Sequence, residues 1–120
     1  MGQQKNGCSF RTDRNEAGVN FTMSIYVIAD AEIHDPETYE KYKKAAPQYV
    51  ARHGGEYCCR GGHFEVLVGD WKPTRLLVLK FPSRDAYDKF LADPDYKPWK
   101  ELRESVSTPK NVMILEGYDV

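Results

Sequence analysis

The sequence predicts an α+β fold: an antiparallel sheet with two helices on one of its faces. Three observations carry that reading. Residues alternate in side-chain character at 24–32, and a last apolar run at 111–116 has the length of a strand. Cap residues followed by proline or a helix former mark helix starts at Asp35-Pro36 and near Ser83. The patterned segments then follow one another as strand, helix, strand, strand, helix, strand.

Residues 24–32 form the first expected strand. One face carries Ile25, Val27, Ala29 and Ala31, and the other Tyr26, Ile28, Asp30 and Glu32. A helix starts next, with Asp35 as N-cap, Pro36 at its first position and Glu37 against the positive end of the dipole. Tyr39, Tyr42, Ala46, Tyr49, Val50 and His53 recur at helical spacing and form its buried stripe. Pro47 lies inside the helix and should kink it or weaken a turn. Gly54-Gly55 stops it.

Glu56 to Arg60 and Phe64 to Val68 read as two short strands or one long bent strand, with Gly61-Gly62 as a bulge or tight turn. Gly69 to Thr74 reads as a hairpin loop, and Arg75 to Phe81 as the most apolar strand. Pro82 ends it and Ser83 caps the second helix, whose stripe is Ala86, Tyr87, Phe90 and Leu91. Asp93-Pro94 breaks and restarts that helix. Tyr96, Trp99, Leu102 and Val106 continue its apolar face until Pro109, and Asn111 to Glu116 is the last strand.

This order is that of the ferredoxin-like split βαβ motif. Two helices cover one sheet face, yet the strands are apolar on both. A second copy of the chain is the economical cover, so the expectation is a homodimer in which two sheets face each other as a dimeric α/β barrel. The domain is expected at 24–120. Residues 1–23 lack any strand or helix period and are expected to be a disordered or mis-started tail, with Met23 as the functional start.

Composition narrows the class. The chain has 120 residues, of which 41% are hydrophobic, enough for one core. Its 17 basic and 18 acidic residues leave a net charge of −1, which argues against a general nucleic-acid binder. No apolar run has the length of a membrane span, and 1–22 lack the apolar segment of a secretory signal. Three cysteines are too few for a disulfide scaffold. These facts point to a small, soluble, cytoplasmic domain.

The stretch from Tyr26 to Gly117 resembles the domain-of-unknown-function family number 1330. The matching residues include Tyr26-Val27-Ile28, Asp35-Pro36 with Tyr39 and Tyr42, Pro47 and Gly54-Gly55. Tyr57, Arg60-Gly61-Gly62, Glu65, Gly69-Asp70-Trp71, Pro73 and Arg75 follow, then Phe81-Pro82-Ser83, Ala86, Tyr96 and Arg103. The resemblance leaves out the first 22 residues. It implies a ferredoxin-like dimeric α/β barrel and no established reaction. Related barrels include cofactor-free monooxygenases, muconolactone isomerases and haem-binding members, an analogy of fold only.

The chemistry-bearing residues are few. Cys58 and Cys59 are adjacent, a spacing of neither a redox pair nor a zinc site, and are expected as small buried packing residues. The three histidines lack metal spacing, so no metal and no cofactor is expected. His53 suits the C-terminal end of the first helix. His34, beside the N-cap, is the general-base candidate, with a solvated loop histidine as the plain alternative. Asp30 is the carboxylate candidate for proton transfer, and Glu32 lies on the same strand face. Arg60 can hold a carboxylate bidentately, either Glu65 or a substrate acid, and Arg75 can orient the same anion. An ion pair or an intersubunit contact accounts for Arg60 and Glu65 equally. Among eight tyrosines, Tyr26 and Tyr42 are expected to line a polar cavity.

Two functions from different classes fit. The first is a homodimer that binds a small organic molecule in the barrel cavity, with cofactor-independent oxygenation or isomerisation as its catalytic form. The second is a non-catalytic dimerisation or regulatory module. Neither involves nucleic acid or a membrane.

Overall fold

The computed structural model describes residues 23–118, so residues 1–22 of the expected 1–23 tail lie outside the described residues. The elements are β1 (Ile25–Ile33), α1 (Pro36–Arg52), β2 (Glu56–Arg60), β3 (Leu76–Phe81), α2 (Arg84–Ala92), α3 (Lys97–Val106) and β4 (Ser107–Glu116). The strands form one antiparallel sheet in the order β2-β3-β1-β4. This is the expected ferredoxin-like arrangement, with β1 and β3 central and the second helix split in two.

The local signals act as their chemistry requires. The Asp35 carboxylate accepts from the Thr38 backbone N–H at 3.2 Å and from its hydroxyl at 2.6 Å, which starts α1. At the other end Gly54 takes φ +81°, its N–H donates to Ala51, and the Gly55 N–H donates to Val50. These two bonds make a Schellman cap. The Ser83 hydroxyl accepts from the Ala86 N–H at 3.0 Å and starts α2.

The helices cover one sheet face. Ile25 and Val27 of β1, Leu79 and Phe81 of β3, Val50 of α1, Phe90 of α2 and Tyr96 form the buried core. Phe81 and Tyr96 are the largest fully buried side chains. Phe90 packs on Tyr96 with centroids 4.3 Å apart and on Phe81 at 5.4 Å. On the opposite face Tyr26 and Ile28 stand beside Lys80 and Val78 of β3 and beside Leu115 and Met113 of β4. Met113 and Leu115 are 52% and 55% exposed, so this face is apolar and open at the β4 edge.

Three expectations need correction. Residues 64–68 are not a strand; they lie in an irregular, exposed segment between β2 and β3. The β2–β3 ladder ends at Arg60–Leu77, followed by one bond from the Gly61 N–H to the Leu76 carbonyl. Among the described residues no strand remains there for Phe64–Val68 to pair with, and apolar alternation alone does not make a ladder. Pro109 does not close the second helix; α3 ends at Val106, and Pro109 lies inside β4, which starts at Ser107 rather than Asn111. β4 is an edge strand, where a missing N–H is tolerated, and the register shift beside Ala31 accommodates it. Cys59 is an exposed free thiol at the end of β2 rather than a buried packing residue.

Candidate functional site: a tyrosine- and arginine-lined cavity

A cavity of about 330 Å³ lies between the helices and the sheet of a single chain. Val27, Ala29, Leu77 and Leu79 make its floor, and Tyr39, Tyr42, Tyr87 and Phe90 descend from the helices. It lies on the helix side of the sheet, and Ala29 and Ala31 are among the small residues that line it.

Two bulges shape the wall. Side chains along a regular strand alternate faces, so residues three apart point opposite ways. In β2 the register shifts between Tyr57 and Cys59: Tyr57 stands opposite Leu79 and Arg60 opposite Leu77. The extra residue brings Tyr57 and Arg60 to the same side, and both line the cavity. In β4 the register shift sets Val112 opposite Ala29 and Pro109 opposite Ala31, and these two also line it.

The phenols are held neutral. Burial, with Tyr96 close by, pushes the Tyr42 hydroxyl far above the usual phenol range, and the two hydroxyls lie 2.7 Å apart. Burial also pushes Tyr57 up to about 12. These groups therefore act at neutral pH as hydrogen-bonding hydroxyls, not as bases.

Cations stack on this aromatic wall. The Arg75 guanidinium lies 5.3 Å from the Tyr39 ring and donates to its hydroxyl at 3.3 Å. Arg103 lies 5.9 Å from the Tyr42 ring, and the two rings are 5.5 Å apart. Burial opposes the charge on Arg103, but Tyr42 and Tyr96 outweigh it and raise its pKa. Arg60 lies 4.7 Å from the Tyr57 ring and donates to the Lys43 backbone carbonyl.

Of the residues singled out in the sequence, Asp30, Tyr42, Arg60 and Arg75 meet at this cavity. Asp30 is 2% exposed, and its Oδ1 accepts the Thr74 and Arg75 backbone N–H groups at 2.8 and 3.1 Å. It thereby anchors the start of β3 and aims Arg75. His34, Tyr26 and Glu65 are not among the lining residues. His34 is exposed, with Nε2 2.6 Å from the Thr108 hydroxyl. Tyr26 faces the other side of the sheet, with the Lys80 ammonium 5.8 Å from its ring. Glu65 is exposed in the irregular 61–75 segment, so the Arg60–Glu65 ion pair is not formed. Glu32 is exposed and pairs with Lys110 at 3.6 Å.

Sequence reasoning did not put Arg103, Lys100 or Tyr96 into a site. Tyr96, Lys100 and Arg103 recur at helical spacing and share one helix face. That spacing was a usable signal, obscured by the apolar stripe of Trp99, Leu102 and Val106. Among the described residues, no three His, Cys, Asp or Glu side chains converge as a metal site.

The model of the family described as "Domain of unknown function (DUF1330)" matches residues 24–118. The chain belongs to the DUF1330 family. None of the curated proteins compared matches the chain. Among solved structures, it is similar to RPA0582, a protein of unknown function from Rhodopseudomonas palustris. That likeness has 16% identity, covers 92% of this chain and 99% of that one, and has a TM-score of 0.66. It is also similar to SnoaB of Streptomyces nogalater, a cofactor-independent oxygenase, at 16% identity over 82% of this chain and 97% of that one, TM-score 0.56. A hypothetical Arabidopsis thaliana protein is similar at 13% identity over 82% and 89%, TM-score 0.54. At these identities the likeness speaks to fold, and it agrees with a ferredoxin-like DUF1330 domain. No helix among the described residues is long and apolar enough to cross a membrane.

Proposed function

We propose that this DUF1330 protein binds a small organic molecule in the cavity between its helices and its sheet. The supporting observation is the cavity: about 330 Å³ of space, walled by aromatic and aliphatic side chains with a few convergent polar groups. That composition and size are those of small-molecule sites, which run roughly 300–1,000 Å³. No oxygen chemistry is carried over from SnoaB, because 16% identity supports fold alone.

The test is a thermal-shift screen against small ring compounds and organic acids, run on the unmodified chain and on Ala29→Phe. Ala29 is half-buried on the cavity floor, so the larger ring fills the space. A ligand at about 100 times its Kd stabilises the folded state by about 2.7 kcal/mol. The expected result is a raised melting temperature for the unmodified chain and none for Ala29→Phe. Equal shifts in both, or no stabilising compound, would overturn the reading.

We further propose that two copies pair through the open sheet face. Met113 and Leu115 on that face are more than half exposed, beside Ile28 and Val78. An apolar sheet face of this kind is stabilised by a partner sheet. Light scattering after size exclusion should give a dimer mass for the unmodified chain and a monomer mass for Met113→Lys with Leu115→Lys. A monomer mass for the unmodified chain contradicts the pairing.

A further inference from the structure

The cavity contains more cationic charge than its own carboxylates neutralise. Five basic side chains line it, Lys43, Arg60, Arg75, Lys100 and Arg103, against Asp30 and Glu104. The two carboxylates are engaged. Asp30 Oδ1 accepts the Thr74 and Arg75 backbone N–H groups, and Glu104 pairs with Lys100 at 2.8 Å. Lys43 pairs with Glu40 at 3.4 Å, and Arg60 donates to the Lys43 carbonyl. Arg75 and Arg103 are left. Among the described residues, neither forms an ion pair with a carboxylate.

A half-buried guanidinium without a counter-charge has lost part of its hydration and gained no anion. Here the loss is offset in part by ring faces. Arg75, Tyr39, Tyr42 and Arg103 form a continuous run, with successive centres 5.3, 5.5 and 5.9 Å apart. Each guanidinium has five N–H donors, and among the described residues the one side-chain hydrogen bond of Arg75 goes to the Tyr39 hydroxyl. The rest of its fork is free to meet a carboxylate bidentately.

The backbone is shaped to keep Arg75 in place. Gly61 has φ +69°, and a Cβ there would come within 2.7 Å of Arg75 Nε. Glycine at that turn leaves the slot in which the guanidinium lies. The cavity volume sets the scale of the other end of the ligand. An apolar cavity of about 150 Å³ holds one benzene ring, so about 330 Å³ admits two fused rings with a short polar group.

We propose that the cavity binds a small aromatic carboxylate, its carboxylate held by the free part of the Arg75 fork and its ring against Tyr39, Tyr42 and Phe90. This inference rests on the small-molecule reading above and narrows it to one ligand class.

The test is calorimetric titration of the full chain with 2-naphthoate and with its neutral isostere 2-naphthamide. Charge-assisted hydrogen bonds should favour the acid by about tenfold or more in Kd. Arg75→Gln should weaken 2-naphthoate by about tenfold and 2-naphthamide by clearly less, so that the acid-to-amide ratio falls. Melting curves of the variant establish that it folds, and the acid-to-amide ratio on the unmodified chain stands without it. Equal affinity for acid and amide overturns the anion selectivity and leaves small-molecule binding standing. Failure of both probes overturns the aromatic-carboxylate proposal, while the Ala29→Phe comparison decides separately whether the cavity binds a ligand.

Discussion

The Arg60 guanidinium donates to the backbone carbonyl of Lys43. Lys43 is four residues before Pro47, and a proline has no N–H to return to the carbonyl one turn earlier. The side chain that lines the cavity thus also satisfies the acceptor that Pro47 leaves open in α1.

That relationship predicts coupling. Arg60→Ala should cost about 1 kcal/mol in the native background, the ordinary net value of one hydrogen bond. In a Pro47→Ala background the new N–H can serve the Lys43 carbonyl, and the same change should cost clearly less. Urea denaturation of the four proteins gives the cycle. Equal costs in both backgrounds would dissolve the relationship.

The two glycines after Arg60 should behave differently. Gly61 has φ +69° and Arg75 beside it, so Gly61→Ala should destabilise by roughly 1–2 kcal/mol. Gly62 has no positive φ and nothing within 4 Å of a Cβ, so Gly62→Ala should leave stability unchanged or slightly higher. Denaturation midpoints check both, and a large loss at Gly62 contradicts this account.

Gly55 is a packing glycine. A Cβ there would meet the Phe81 ring at 2.6 Å and Val50 at 2.7 Å, both in the core. The rings cannot withdraw without opening the helix–sheet contact. Gly55→Ala should therefore cost about 1–3 kcal/mol, read by thermal or urea melting.

Acid should loosen the joint between α1 and the α2–α3 break. The Asp93 carboxylate accepts from His53 and Arg52, at 2.8 and 2.9 Å, and from the Asp95 N–H. The His53 bond leads in lowering its pKa from 3.8 to about 2, burial opposes it, and the Asp95 N–H and Arg52 add to the lowering. A carboxylate whose pKa is depressed by folding stabilises the native state above its unfolded pKa. That contribution is lost as pH falls from about 4 through about 2. Asp93→Asn should show a shallower loss of stability over that window, measured by urea midpoints at several pH values. Parallel curves for the two proteins would contradict the assignment.

Much of the fold was legible in the sequence because its signals are local. Asp35-Pro36, Gly54-Gly55 and Ser83 act on backbone groups within one turn, and the Asp93-Pro94 break acts where it is written. Residues 64–68 were misread for the opposite reason: their pattern suits a strand, but a strand exists only where another offers a ladder. Pro109 was misread because edge position, which tolerates proline, is a property of the sheet.

The candidate site divides in the same way. From its sequence alone this chain declares a ferredoxin-like DUF1330 domain and marks Arg60, Arg75, Asp30 and Tyr42 as residues with chemistry to offer. It cannot declare that they meet. Their meeting depends on a bulge that turns Arg60 to the side of Tyr57, on a glycine that admits Arg75, and on α3 bringing Arg103 over Tyr42. His34, Tyr26 and Glu65 have the same residue chemistry and face elsewhere. Propensities and caps depend on near neighbours in the chain. A binding cavity depends on side chains far apart in the chain meeting in one place, which only the packed sheet and helices decide.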